Sequence, residues 1–387
     1  MVATPDLKPS PLTRLHDRGQ AVWLDFLDRR FLKDGSFRKL IAEDGITGVT
    51  SNPSIFEKAL SDAEAYDADL RAALEHGEPD AQELYEGLAL ADIRAAAADL
   101  KPVYDRLDGK DGYASFEVSP YLANDTDETI AEARRLWKRV DAPNLMIKVP
   151  GTAAGVPAIA ELTADGINVN VTLLFARETY QAVAIAFLEG LEQRVDRGEP
   201  IDRIASVASF FVSRIDSAID KTIDARIQAG DKEAPALRAL RGKVAIANAK
   251  LAYVWYLELI DSARWKRLEA KGAMPQRLLW ASTGVKDPSF PETLYVDTLI
   301  GADTINTMPL KTLEAFREHG TVGQTLTSDL LGAQKILDEV EQLGLDLPGV
   351  TSALVDDGVK KFADAADALL GALATKRAMM LRERSVR

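Results

Sequence analysis

The chain has 387 residues, 47% of them hydrophobic and 28% charged, which is the composition of a globular protein able to bury a large core rather than of a disordered one. A formal charge of −13 leaves no general basic face for nucleic acid or an anionic membrane, so an anionic ligand has to be held by a few local basic groups. The absence of cysteine excludes disulfides, a thiol nucleophile and cysteine metal sites, and His16, His76 and His319 are too scattered for a histidine metal cluster or a serine-histidine triad.

The opening MVATPDLKPSPLTRLHDRGQ has no apolar signal-like core, and no later stretch approaches the roughly 18 apolar residues of a membrane span, so a cytoplasmic protein is expected. Strands are predicted near 21–27 (AVWLDFL), 45–52 (GITGVTSN), 113–119 (YASFEVS) and 144–150 (NLMIKVP). Four more are predicted near 167–174 (INVNVTLL), 204–212 (IASVASFFV), 277–283 (RLLWAST) and 303–309 (DTINTMP). Helical spacing separates most of them, as in NDTDETIAEARRLWKRV, where Ile130, Ala133, Arg134 and Trp137 form a stripe. Eight strands alternating with helices predict an α/β fold of the (β/α)8 barrel type. Residues 54–110, 215–275 and a tail of about 311–383 exceed a minimal barrel and read as helical. In the tail, Phe362, Ala366, Leu369, Leu370 and Leu373 share a face suited to docking on the body. With no repeat, low-complexity tract or linker, residues 1–387 are expected to form one elaborated barrel domain.

The strands also carry a polar face. Strand side chains alternate with a period of two, so Asn168, Asn170 and Thr172 oppose Ile167, Val169, Val171 and Leu173, while Ser115, Glu117 and Ser119 oppose Ala114, Phe116 and Val118. Asp25 stands against Leu24 and Phe26, and the second strand ends in Thr50, Ser51 and Asn52. A parallel strand covered by helices on both sides would be nearly all apolar. Polar side chains near the C-terminal ends of several strands are what a barrel uses to build an active site.

In NLMIKVPGT, Lys148 falls on the polar side of its strand with Asn144 and Met146. On an edge strand such a lysine would snorkel to water. On an enclosed face it must be paired, deprotonated or in use. A desolvated lysine can lose its proton and attack a carbonyl, and the resulting Schiff base acts as an electron sink for making or breaking a neighbouring carbon–carbon bond without a metal or other cofactor. That chemistry needs acids and bases, for which Asp25 and Glu117 are the candidates, and amides such as Asn170 that hold sugar hydroxyls. Each carboxylate could instead be an ion-pair partner for Lys148 or a strand-end cap. In ASFFVSRID, Ser209 and Arg214 fall where a strand gives way to a helix, a suitable phosphate site, although Arg214 could also be a surface residue paired with Asp216. STGVKDPSF adds Ser282 and Lys286 after the seventh strand, where barrels often bind phosphate.

These segments resemble the transaldolase family, the class I Schiff-base enzymes of the non-oxidative pentose phosphate pathway. GVTSNPSIF (48–56), NLMIKVPGT, NVNVTLLF (168–175) and VASFFVSRID (207–216) match its signatures in order and spacing, over roughly residues 20–310. The resemblance implies that Lys148 forms the Schiff base, that Asp25 handles the proton of the donor hydroxyl, and that Glu117 with Thr172 and a water moves protons during carbinolamine formation and dehydration. It further implies that Asn52 and Asn170 hold the dihydroxyacetone unit, and that Ser209, Phe211 and Arg214 line the phosphate end. The implied reaction moves that unit from sedoheptulose 7-phosphate to glyceraldehyde 3-phosphate, with no cofactor, metal, nucleic-acid or membrane partner, in a monomer or homodimer. Two features depart from the family pattern. WASTGVKD has no second phosphate-binding arginine, for which Lys286 is the expected substitute, and the helical insertions resemble those of the longer bacterial subgroup. Two other readings stay open: a class I fructose-6-phosphate-type aldolase that releases dihydroxyacetone, and a non-catalytic sugar-phosphate-binding barrel.

Overall fold

The computed structural model describes residues 9–61 and 63–385. Eight parallel strands close into a barrel in sequence order: β1 (Gln20–Leu24), β2 (Gly48–Thr50), β3 (Tyr113–Glu117), β4 (Leu145–Pro150), β5 (Val169–Leu174), β6 (Ser206–Phe211), β7 (Arg277–Ala281) and β8 (Thr304–Met308). The (β/α)8 expectation therefore holds. Most strands stop earlier than the alternation suggests. The backbone of Asp25 still donates to Met308 O (2.8 Å), and that of Val118 to Lys148 O (3.1 Å), but there the chain turns away toward its helix. Asn52 shows why: with Pro53 next, its Oδ1 accepts from Ile55 N at 3.0 Å and starts the helix Pro53–Ser61.

Pairing fixes height as well as face. Lys148 is the register partner of Glu117 on β3 and of Asn170 on β5, so the three stand at one level inside the barrel. Asn144 and Asn168 share that alternation but sit at the foot. Asn144 donates to Ala97 O and Gly112 O, and Asn168 links Leu145 O to Ala205 N, pinning β4 and the start of β6 to their neighbours. The floor is filled by Trp23, whose Nε1 donates to Asp111, itself bridged to Arg277 at 3.1 Å. Gly48 is required beneath that ring, because a Cβ there would lie 2.3 Å from it.

The inner alternation of β5 ends at Thr172. The register shifts between Val171 and Leu174, and Leu173 takes a left-handed φ of 60°, a conformation that costs a residue with a Cβ roughly 1–2 kcal/mol. Such bulges gather beside active sites, where they re-aim side chains. Leu173 does not continue the outward row with Val171; it meets Gly358 in the tail, where a Cβ would come within 2.7 Å of it.

Helices occupy the segments in excess of a minimal barrel. Pro53–Ser61, Asp67–Glu75 and Ala81–Arg106 lie in the first, and Ser213–Gln228, Ala234–Leu240, Val244–Asp261 and Ala263–Glu269 in the second. The tail forms Leu310–His319, Leu330–Gln342 and a final helix, Leu347–Ser385. The final helix buries Phe362, Ala366, Leu369 and Leu373, with Leu370 half-buried at the edge of that face. It touches Pro53–Ser61, which follows β2, and Ser213–Gln228, which follows β6. Those strands are on opposite sides of the barrel, so the helix crosses the mouth. One sequence expectation is corrected. Helix Thr126–Val140 buries Thr129, Ala133, Leu136 and Val140, while Arg134 faces outward to Asp165 and Glu161. The short, polar Thr129 disguised the true stripe.

The first insertion is fastened by Arg29, which is 4% exposed. It donates to Asp92 Oδ1 (2.6 Å), to Leu88 O (3.0 Å) and to Asp69, under a Tyr66 ring 4.4 Å away. Removing one partner of a buried pair leaves the other charge uncompensated, at a cost of about 3–5 kcal/mol. Arg29→Met should therefore lower the free energy of unfolding, read from urea titrations, by that order, and Arg29→Met with Asp92→Asn should recover part of the loss.

Candidate active site

The mouth of the barrel opens into a cavity of about 340 Å³, in the range of small-molecule sites. Lys148 lies on its floor, 4% exposed. Its Nζ donates to Ser51 O at 2.8 Å and sits 3.2 Å from Glu117 Oε2. The edge-strand alternative is thereby removed: β4 is interior to a closed sheet, and the amine points inward.

Asp25 also lines the cavity, its Oδ1 accepting from Thr50 Oγ1 at 2.8 Å, with Thr307 Oγ1 3.0 Å further along. Burial raises the pKa of both carboxyl groups above the ordinary values. For Asp25 this is opposed by Lys148, by the Thr50 hydrogen bond, and by Arg214 and Lys286. For Glu117 it is opposed by Lys148 alone and reinforced by Asp25. Thr172 presents to the cavity a hydroxyl that is buried with no protein partner among the described residues. Ser209 lines the same wall and donates to Asn170 Oδ1 at 2.7 Å, while Asn170 Nδ2 donates to Ser115 Oγ at 3.0 Å. Asn170 is fully buried behind Ser209, and the Asn52 side chain lies at the rim, with its oxygen turned to its own helix.

The far end of the cavity is basic. Arg214 opens the helix Ser213–Gln228, its guanidinium 5.1 Å above the Phe211 ring, with a buried Nη1 that has no partner among the described residues. Burial lowers its pKa, against the pull of Asp357 and Asp25. A desolvated guanidinium with an unused donor beside a helix N-terminus is a receptor for an anion. The surface pairing with Asp216 does not occur. Asp216 is 1% exposed and accepts from Ala245 N (2.8 Å) and Tyr295 Oη (2.9 Å), bracing the arginine's helix against Val244–Asp261. Ser282, left-handed at φ 55°, places its Oγ 3.0 Å from Ser213 Oγ, and Lys286 lines the cavity beyond it.

Three participants escaped sequence reasoning. Thr307 completes the hydroxyl chain to Asp25, and Lys58 and Phe362 line the upper wall. Lys58 stands one helical turn after Ser54, which lines the same cavity, and so shares its helix face. Phe362 was expected on the docking face of the tail, but nothing local placed it over the cavity.

Fold and site together define a (β/α)8 enzyme with an enclosed amine flanked by carboxyl groups at its mouth. Residues 22–373 match the Transaldolase/Fructose-6-phosphate aldolase family, and the chain belongs to it. Among similar proteins, a transaldolase of Thermobifida fusca (strain YX) is 50% identical over 366 residues, covering 94% of this chain and 98% of the relative. A transaldolase of Thiobacillus denitrificans (strain ATCC 25259 / T1) is 50% identical over 352 residues, with 91% and 96% covered. Transaldolase 2 of Streptomyces coelicolor (strain ATCC BAA-471 / A3(2) / M145) is 48% identical over 360 residues, with 93% and 95% covered.

The brace beneath Arg214 has a pH signature. Burial pushes the Asp216 carboxyl up to about 7 despite its hydrogen bonds. The folded protein thus holds a proton that the unfolded chain has released, and the stability this contributes is full below pH 3.8 and lost as pH rises through about 7. Asp216→Asn should remove a slope of up to about 4 kcal/mol between pH 4 and 7. Urea midpoints measured across that range read the slope independently of any uniform loss. Asp220, raised to about 6, leaves a smaller residual slope.

Proposed function

We propose that the protein is a transaldolase acting through a Schiff base on Lys148, transferring a dihydroxyacetone unit between sugar phosphates. The observation that carries the reading is the placement of Lys148, which is enclosed between Ser51 O and Glu117 and shares one cavity with Asp25 and Arg214. The neutral amine attacks the ketose carbonyl to give a carbinolamine. Glu117, working with the Thr172 hydroxyl and a water, moves the protons that expel water and leave an iminium. Asp25 then takes the proton of the hydroxyl at the bond to be cleaved. The bond's electrons flow into the iminium as an enamine, and an aldose phosphate departs. An incoming aldehyde accepts the enamine carbon, its oxygen takes the proton back from Asp25, and hydrolysis of the new iminium frees the product ketose and Lys148.

Asn52 and Asn170 are assigned to the hydroxyls of the three-carbon unit, Asn170 acting through the Ser209 it orients. Ser209, Phe211, Arg214, Ser282 and Lys286 are assigned to the phosphate end, with Lys286 in place of a second arginine. Sedoheptulose 7-phosphate and glyceraldehyde 3-phosphate as substrates, and erythrose 4-phosphate and fructose 6-phosphate as products, follow from this reading. So do a place in the non-oxidative pentose phosphate pathway, a cytoplasmic setting and a monomer or homodimer. We also read residues 1–387 as one barrel domain, since one apolar cluster runs from the strands into the final helix. Phe362, roofing the cavity, favours transfer over release, because a covered enamine meets the acceptor aldehyde in a site from which bulk water is displaced.

Incubation with fructose 6-phosphate followed by borohydride should leave a three-carbon adduct on the peptide containing Lys148, and none in Lys148→Met. Mass spectrometry showing no adduct on that peptide would sink the Schiff-base reading. With erythrose 4-phosphate added, sedoheptulose 7-phosphate should form; free dihydroxyacetone without an acceptor would instead mark a lyase. Arg214→Met should raise KM for phosphorylated substrates about ten- to a hundredfold, the worth of a charge-assisted hydrogen bond, and leave adduct formation with unphosphorylated fructose unchanged.

A further inference from the structure

Glu117 has a second side. Among the described residues, the lining of the barrel-mouth cavity includes Lys148, Asp25 and Thr172 but not Glu117. Glu117 lines another cavity behind β3, about 30 Å³ in volume, with Tyr85, Glu132, Ser119 and Tyr121. That volume accommodates about one or two waters, and the carboxyl and hydroxyl groups supply the polar partners such a water needs. We propose that this rear cavity is a water passage through which Glu117 exchanges protons with solvent while substrate fills the barrel mouth, Tyr85 being the residue that positions the passage.

The geometry supplies each part. The Tyr85 ring stands edge-on against Phe56, with centroids 5.8 Å apart. Burial raises the pKa of its hydroxyl, and Glu117, Glu132 and Glu86 raise it further, so the phenol stays protonated in a ring of carboxyl groups. Glu86 is paired with Arg135 and Arg139. Glu132 accepts from Ser119 N at 3.1 Å, lies 3.5 Å from Arg135, and is itself raised by burial, which suits it to pass a proton. The outer rim is Tyr121, 54% exposed, whose hydroxyl donates to Asp367 of the final helix. The groups facing Glu117 are thus Lys148 and Asp25 in front and Tyr85 and Glu132 behind.

The reaction gives such a route work to do. Iminium formation from a neutral amine and a ketone takes up one proton and releases one water; hydrolysis reverses both. When Glu117 gives its proton to the departing hydroxyl it becomes a carboxylate. A rear water, held in place by the Tyr85 hydroxyl, passes a proton to it and regains one from Glu132, which takes its own back from solvent. One proton enters and no group is left changed.

The proposal rests on the assignment of Glu117 to Schiff-base proton transfer, and the test separates the two. In Tyr85→Phe, which keeps the ring, the borohydride-trapped adduct at equilibrium and KM for fructose 6-phosphate should match the parent. The single-turnover rate of adduct formation should fall about tenfold, become dependent on buffer-acid concentration, and lose its alkaline limb at lower pH. Glu132→Gln, and Ala366→Met filling the cavity from the final helix, should change the same readouts in the same direction. Parental rates, pH profile and buffer independence in Tyr85→Phe and Ala366→Met would overturn the passage. Absence of any adduct in the parent would overturn the Schiff-base reading instead.

Discussion

The structure depends on keeping an amine inside a closed sheet. A buried ammonium without partners would cost several kcal/mol, and the barrel meets that cost by geometry. β3, β4 and β5 are registered so that Glu117, Lys148 and Asn170 stand shoulder to shoulder, and the turn after β2 brings Ser51 O to within 2.8 Å of Nζ. Ser51 follows β2 and Glu117 ends β3, so the amine on β4 is held only where these three neighbouring strands pair in this register. Strand register and chemistry are therefore one requirement: Asn170 is satisfied by Ser115 and Ser209, while the unpartnered Thr172 hydroxyl and Arg214 Nη1 belong to the lining of the cavity.

The two carboxyl groups flanking the amine are not equivalent. Both are raised by burial, but Asp25 has a hydroxyl donor and three cations favouring its charge, whereas Glu117 has Lys148 alone and the repulsion of Asp25. Carboxyl groups in such different surroundings can divide acid and base work, and in the proposed reaction Asp25, with more partners for its charged form, takes the proton of the sugar hydroxyl while Glu117 gives one to the departing water. The difference traces to position: Asp25 follows β1 and shares the barrel-mouth cavity with Arg214 and Lys286, whereas Glu117 ends β3 and lines the rear cavity with Tyr85 and Glu132.

Much of this was legible in the chain because a strand's period of two is rigid. Alternation placed Asp25, Glu117, Lys148, Asn170 and Thr172 on one face, and eight alternating segments supplied the closed sheet. Alternation gives face but not height, so Asn144 and Asn168 share the polar face of Lys148 and Asn170 and yet serve the foot of the barrel. It is also blind to bulges: Leu173 leaves the pattern because its backbone turns left-handed toward the tail. Helical stripes are read from hydrophobicity, and where a buried position is a threonine, as at Thr129, the stripe appears rotated by one residue. Contacts that depend on docking a remote element, such as Phe362 at the mouth, have no local signal at all.

The helical insertions acquire a purpose from that docking. The final helix crosses the mouth and rests on Pro53–Ser61, from the first insertion, and on Ser213–Gln228, at the start of the second. Arg29 fastens the other helices of the first insertion, Asp67–Glu75 and Ala81–Arg106, through Asp69 and Asp92, and Asp216 braces the second support through Ala245 and Tyr295. Gly358 lets the helix come down onto Leu173, directly above the bulge that ends the inner row of β5. A roof carried at both ends can hold Phe362 over the cavity with little motion. In the proposed reaction such a roof covers the enamine, and with substrate in front Glu117 exchanges protons through the cavity behind it. The additions to the minimal barrel are thus the supports of a lid, and the small polar cavity between β3 and the same final helix is their counterpart on the other side of the acid.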